Sequence, residues 1–463
     1  MASRLLRLST PSFRALSLRF KSGTSHSGDY QAALTTSAPT ELTSTTNNIR
    51  VACQTTTSET TTVGIWLDAG ARYEEAQNNG AANFIQRLTF KGTAKRAKAN
   101  LESEAASLGA RLYSFTDREQ TAFYATCLNK DVPKIVEILS DAVQNPKLDE
   151  TDIENERQKI LRDSEEIESN VQDVVNDYLH AIAYQGTPLG QTILGPRENV
   201  LSLTSKDLKY YIDTHYKASR TVLAASGGVK QNELLQLAEL NLGKLDDTFD
   251  GEPPVLSRCR YTGSEVRLRD DSLPYAYFAL AVEGPGWNSP DRIPLLVATS
   301  AIGAYDRSQG KLGENSTYEI CHSYQAFNIT YSDTGLFGVY SVCEPLQCEH
   351  ISKAVLEAWH RVSYSITDAE LDQAKNRLIT KLLAEQSTSK GNCEDIGRSI
   401  LATGRRTPLN ELVATIQNLS NQTVRDITDK YTNNKCPVLS AVGPVENLTD
   451  YVNIRTRMYW ARV

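Results

Sequence analysis

The sequence predicts an α+β fold of two similar domains, each a sheet covered by helices. Three observations predict it. Period-two apolar stretches alternate along the chain with stretches of helical spacing, the mark of interleaved strands and helices. At 463 residues the chain exceeds one ordinary core. Three segments also recur in order: Phe123-Tyr-Ala-Thr-Cys127 as Val339-Tyr-Ser-Val-Cys343, Thr151-Asp-Ile-Glu154 as Thr367-Asp-Ala-Glu370, and Val222-Leu-Ala-Ala-Ser-Gly-Gly-Val229 as Val438-Leu-Ser-Ala-Val-Gly-Pro-Val445, each offset by 216 positions. A period this long means duplicated domains, not a solenoid.

The chain opens with Arg4, Arg7, Arg14, Arg19 and Lys21 among leucines and serines, and its first acidic residue is Asp29. An Arg-rich, acid-free amphipathic segment reads as a mitochondrial transit peptide over residues 1–28, with a disordered basic tail as the alternative. Its loss would take the net charge from -7 to roughly -12, so no basic nucleic-acid face is indicated. No apolar run approaches the roughly 20 residues of a membrane span, so any membrane contact would be indirect, through protein partners. Eight scattered cysteines form no C-x-x-C pair and read as buried thiols.

After a Thr/Ser-rich lead-in, Val63, Ile65 and Leu67 alternate with Gly64, Trp66 and Asp68 as a strand does. The stretch from Gly80 reads as a helix stopping at Gly92, a residue suited to the left-handed position past a helix end. Strands follow at Ala110–Phe115 and Thr121–Leu128, then a helix at Val132–Val143. Thr151-Asp-Ile-Glu154 reads as a capping box opening a long helix, with Glu156, Ile160, Asp163 and Ile167 on one face. Solvated surface acids are the plain explanation of those carboxylates. A helix at Lys206–His215, a strand at Thr221–Ala225 and a helix at Asn232–Leu240 lead into the acidic, Pro-bearing stretch 246–254. That stretch is the expected linker between an N-terminal domain at 29–247 and a C-terminal domain at 248–463.

The chemistry is concentrated in Gly80-Ala-Ala-Asn-Phe-Ile-Gln-Arg-Leu-Thr-Phe-Lys-Gly-Thr93. On a helix Asn83, Gln86 and Arg87 share a face at i, i+3 and i+4, while Phe84, Ile85 and Leu88 turn to the core. An inverted zinc peptidase carries His, Glu and His in that pattern, H-x-x-E-H. Two carboxamides and a guanidinium stand here instead. An amide is a poor zinc ligand, arginine offers no lone pair and glutamine cannot take a proton.

With Phe90-Lys-Gly-Thr93, Pro188-Leu-Gly-Gln-Thr-Ile-Leu-Gly-Pro196, Tyr331-Ser-Asp-Thr-Gly-Leu-Phe-Gly338 and Asp395-Ile-Gly-Arg-Ser-Ile-Leu-Ala-Thr-Gly-Arg-Arg406, the chain resembles the family of the mitochondrial processing peptidase and the core proteins of the cytochrome bc1 complex. It is most similar to the core-one branch, and the closing Met458-Tyr-Trp460 is similar to the C-terminus of the β-subunit and core-one branch. The resemblance implies a pitrilysin-like duplicated fold of two homologous domains, each a mostly antiparallel sheet flanked by helices. It places the metal-ligand positions at Asn83, Arg87 and Asp163 and the catalytic base at Gln86, all four departing from the pattern. No catalytic residue and no metal is therefore expected. Nor is any cofactor, because no haem or cluster motif is present.

The charge of the altered site suggests that Arg87 pairs with Asp163, and with Glu156 as a further partner, in place of the metal. Drift, with Arg87 reaching solvent, is the alternative. The resemblance implies a non-catalytic scaffold of respiratory complex III in the mitochondrial inner membrane, peripheral on its matrix side. Its partners there would be a core-two-like subunit, cytochrome b, cytochrome c1 and the Rieske subunit, with Tyr451, Tyr459 and Trp460 as anchors or as core. Two other readings stand beside it: a β-like processing peptidase, and a presequence-binding module using Asp68, Glu74 and Glu75 without hydrolysis.

Overall fold

Strand-forming sequence assembles into two six-stranded sheets in the computed structural model, which describes residues 38–249, 258–309 and 321–459. The expected transit peptide lies outside the described residues. The first sheet contains β1 (Glu41–Ser44), β2 (Arg50–Thr55), β3 (Thr60–Leu67), β4 (Arg111–Thr116), β5 (Thr121–Leu128) and β6 (Thr221–Gly227), in the order β1-β2-β6-β3-β5-β4. The second contains β7 (Glu265–Arg269), β8 (Ala276–Gly284), β9 (Ala304–Asp306), β10 (Cys321–Thr330), β11 (Gly335–Cys343) and β12 (Val438–Gly443), in the order β7-β12-β8-β11-β10-β9. Within each sheet one pairing is parallel, β2 with β6 and β7 with β12, and the others are antiparallel. The segments that repeat in sequence lie on corresponding strands, β5 with β11 and β6 with β12. Both halves are thus sheets flanked by helices.

The alternation in β3 is real, but neither of its faces meets water. Val63, Ile65 and Leu67 join the helices Ala81–Leu88 and Val132–Gln144 in one core. Trp66 enters a second core with Tyr124, Cys393, Ile396 and Ile400. The last three belong to the helix Ser389–Thr403, contributed by the other half of the chain. The reverse exchange also occurs, since Val175, Leu179 and Ala183 of the helix Val171–Ala183 pack with Ala279, Ala281, Val438 and Val442 of the second sheet. Each half therefore completes the other's sheet. Gly397 permits the first crossing, because a Cβ there would stand 2.3 Å from the Trp66 indole.

Arg72 ties the halves by charge. Its guanidinium reaches Asp333 with two bonds of 2.8 Å and Glu119 with one of 2.5 Å, on a side chain only 1% exposed.

Three local expectations need correction. The Gly80 helix stops at Leu88 and passes through a 3₁₀ turn, Thr89–Lys91, to Gly92. At φ 147° and ψ 156° Gly92 is an extended mirror-image residue and not a left-handed helix cap. The long helix begins at Glu150, because the Asp149 carbonyl already accepts from Ile153 N at 2.9 Å, which puts Thr151 inside it. The equivalent capping box does form in the second half between Thr367 and Glu370. Seven of the cysteines are buried thiols, but Cys436 is exposed in the connection before β12. Among the described residues, no helix is long and apolar enough to cross a membrane.

Candidate functional site

Two backbone N–H groups at the start of the Ala81–Leu88 helix and the side-chain amide of Asn79 need acceptors, and a buried carboxylate supplies them. Glu74 accepts from Gly80 N at 2.9 Å, Ala82 N at 2.7 Å and Asn79 Nδ2 at 2.7 Å. Burial pushes its carboxyl up to about 7 despite those three donors. Glu74 is thus a helix anchor and not a cleft acid that meets a peptide. Asp68 accepts the Tyr73 hydroxyl at 2.7 Å, so only Glu75 of the three acids is an exposed side chain without such a role.

The helix so anchored carries Asn83, Gln86 and Arg87 toward the long helix Glu150–Ser169 and the edge strand β4. Arg87 Nη1 lies 2.5 Å from Asp163 Oδ2, and Arg87 Nε donates to Asn83 Oδ1 at 3.3 Å. The two charged side chains are 23% and 30% exposed, so the pair sits at the rim of the core. Asn83 itself is buried, with Nδ2 lacking a hydrogen-bond partner. Gln86 turns away and donates to Ser114 Oγ at 2.6 Å.

Glu156 does not join Arg87. It is bound by Lys91 at 3.3 Å and Lys159 at 2.7 Å, because the 3₁₀ turn after Leu88 delivers Lys91 to it first. Burial raises the Glu156 carboxyl, but the two lysines outweigh it and hold the group below the usual carboxylate range. Ile160 is buried beside it, and the side chain of Ile167 lies outside the described residues.

This donor set does not fit zinc. Arg87 presents a cation where a lone pair would be needed, and the Asn83 oxygen faces that cation. The Gln86 amide is directed at Ser114 and is no base. Among the described residues, no group of three or more His, Cys, Asp or Glu is arranged to hold a metal ion.

Sequence reasoning placed Asn83, Gln86 and Arg87 on one face through helical spacing. It missed Ser114, Lys91 and the Arg72–Glu119–Asp333 cluster, for which no local pattern exists. Of the terminal aromatic residues, Tyr451 is half-buried and donates to Pro437 O at 2.9 Å, Tyr459 is 64% exposed, and Trp460 lies outside the described residues.

Comparison with known proteins places this geometry in a family. Residues 50–197 match the family described as Insulinase (Peptidase family M16), and residues 202–378 match the Peptidase M16 inactive domain. The mitochondrial-processing peptidase subunit beta of Bos taurus is 47% identical over 429 residues, covering 91% of this chain and 88% of the relative. Cytochrome b-c1 complex subunit 1, mitochondrial, of Mus musculus is 45% identical over 425 residues, covering 90% of this chain and 88% of the relative. A chain in the solved structure of "Complex III2 from Candida albicans, Inz-5 bound" superposes with a TM-score of 0.80 at 27% identity, over 91% of this chain and all of the other. The duplicated sheets, the altered motif helix and these relatives agree: the chain belongs to the M16 peptidase family.

Proposed function

We propose that this chain is a non-catalytic core subunit of the mitochondrial cytochrome bc1 complex, the ubiquinol–cytochrome c reductase, and scaffolds its assembly on the matrix side of the inner membrane. The single observation that carries the reading is the Arg87–Asp163 pair, a bonded cation where hydrolysis would require an electron-pair donor. The likeness to a complex III chain and to cytochrome b-c1 complex subunit 1 supports it. A core-two-like subunit, cytochrome b, cytochrome c1 and the Rieske subunit are the partners in this proposal. Obligate contacts of that kind bury more than about 2,000 Å² each. A transit peptide at 1–28 and domains at 29–247 and 248–463 belong to the same proposal.

One observation favours a second reading. The identity to the processing peptidase β subunit, 47%, is as high as that to the bc1 subunit, 45%. The two readings separate in one experiment. The native protein is run on a mild-detergent native gel, and the recombinant chain with an α-type partner is assayed for bound zinc and presequence cleavage. Co-migration with the cytochromes and absence of turnover are expected. Stoichiometric zinc with chelator-sensitive cleavage would overturn the proposal.

A further inference from the structure

A cavity of about 300 Å³, lined by neither Arg87 nor Asp163, opens between the two halves. Ligand sites start at about this size and recur between domains. Its walls differ in chemistry. The turn joining β4 to β5 contributes Asp117, Glu119 and Gln120, whereas the second half contributes Trp287, Arg292 and Asn328.

Several polar groups here lack partners. Gln120 is 8% exposed and its Oε1 accepts no hydrogen bond. Both amide atoms of Asn328 are buried without a partner. The Arg292 guanidinium lies 4.1 Å from the centre of the Trp287 ring, and among the described residues it has no ion pair. Burial holds that guanidinium below the ordinary arginine range, and the carboxylate of Asp395 restores only part of the loss. Asp395 is itself bonded to Arg406 at 2.8 Å. A cation desolvated in this way favours an anionic partner.

A plain anion is not the best occupant, because the opposite wall is acidic. Glu119 is matched by Arg72, and Asp117 lies 3.5 Å from Arg398, itself a lining residue, while Gln120 adds an acceptor without a donor. One wall therefore leaves Gln120 Oε1 in need of an N–H donor, and the other calls for a carboxylate. We propose that this cavity binds a small zwitterion of the free amino-acid class, its carboxylate on Arg292 and Asn328 Nδ2 and its ammonium toward Gln120 and the acidic turn. Binding joins the halves, independently of whether the chain hydrolyses peptides.

The test is calorimetric titration of the full chain with each standard L-amino acid, with melting followed in parallel. For leucine, 4-methylpentanoate serves as the analogue without an amine and isoamylamine as the analogue without an acid. The expected result is saturable binding of at least one amino acid that raises the melting temperature. The one-charge analogues and the Arg292→Gln variant should each weaken binding at least about tenfold, or about 1.4 kcal/mol. Should Arg292→Gln fail to fold, Gln120→Leu gives the same reading from the other wall. No saturable binding by any amino acid, binding of 4-methylpentanoate as tight as that of leucine, or undiminished binding by the folded variants would each overturn the proposal.

Discussion

Arg72 and Asp333, 261 positions apart, face each other through two parallel bonds of 2.8 Å that cross from one half of the molecule to the other. The geometry is a fork meeting a fork, which gives direction as well as attraction. Glu119 and the Ser332 backbone amide extend it, with Ser332 N donating to Glu119 Oε2 at 3.0 Å. Truncating Arg72 leaves two carboxylates close together without their cation. Arg72→Met should therefore cost about 3–5 kcal/mol and split the melting transition, whereas Asp333→Asn, which keeps the arginine paired with Glu119, should cost less. Differential scanning calorimetry of both variants checks the order.

The Arg87–Asp163 pair is partly solvated, so its strength is that of a rim contact. Arg87→Ala and Asp163→Ala should each lower stability by roughly 1 kcal/mol, and the double variant should lose no more than either single one. Additive losses in a urea-denaturation cycle would show that the two side chains are not coupled.

Restoring lone pairs should restore a metal. A quadruple variant, Asn83→His, Gln86→Glu, Arg87→His and Asp163→Glu, should bind about one zinc per chain after dialysis, while the unmodified chain binds none stoichiometrically. Elemental analysis of both proteins decides it. Equal zinc in the two would refute the reading of the donor set.

Glu74 makes stability depend on pH in an identifiable direction. Its folded-state pKa of about 7 lies above the ordinary 4.5, so the folded chain holds the proton longer than the unfolded chain does. Its contribution is therefore full below about pH 4.5 and declines as pH rises toward 7, by about 3 kcal/mol in total. Glu74→Gln removes that dependence. The melting temperature of the variant relative to the parent should rise between pH 5 and pH 8, and a constant difference would refute the assignment.

Gly397 sets two effects against each other. Alanine is favoured over glycine inside a helix by about 1 kcal/mol. The added methyl group would meet the buried Trp66 ring at 2.3 Å, and such overpacking costs about 1–3 kcal/mol. Crowding should win, and Gly397→Ala should melt below the parent with a shifted tryptophan emission.

Local pattern made part of this fold legible. The period of Val63, Ile65 and Leu67 identified a strand, and the 216-residue repeat identified the two sheets. It could not show that Trp66 faces a second core, because the covering residues Cys393, Ile396 and Ile400 lie more than 320 positions later. The site divides in the same way. Asn83, Gln86 and Arg87 fall on one face by helical spacing alone, and Asp163 was placed through family resemblance. That Lys91 takes Glu156, or that Glu74 is buried under Gly80 and Ala82, depends on side chains meeting across the fold, and no short-range spacing encodes it.

The exchanged helices have a consequence for biosynthesis. A chain emerging from the ribosome completes its first sheet at Gly227, but the helix that shields the Trp66 side ends at Thr403. Through the synthesis of the intervening residues that apolar surface stays bare, in the kind of intermediate that aggregates unless it is sheltered. A nascent polypeptide stalled between these two points should therefore be a chaperone client, and release is expected only after β12, the interior strand of the second sheet that ends at Gly443, has also cleared the exit tunnel.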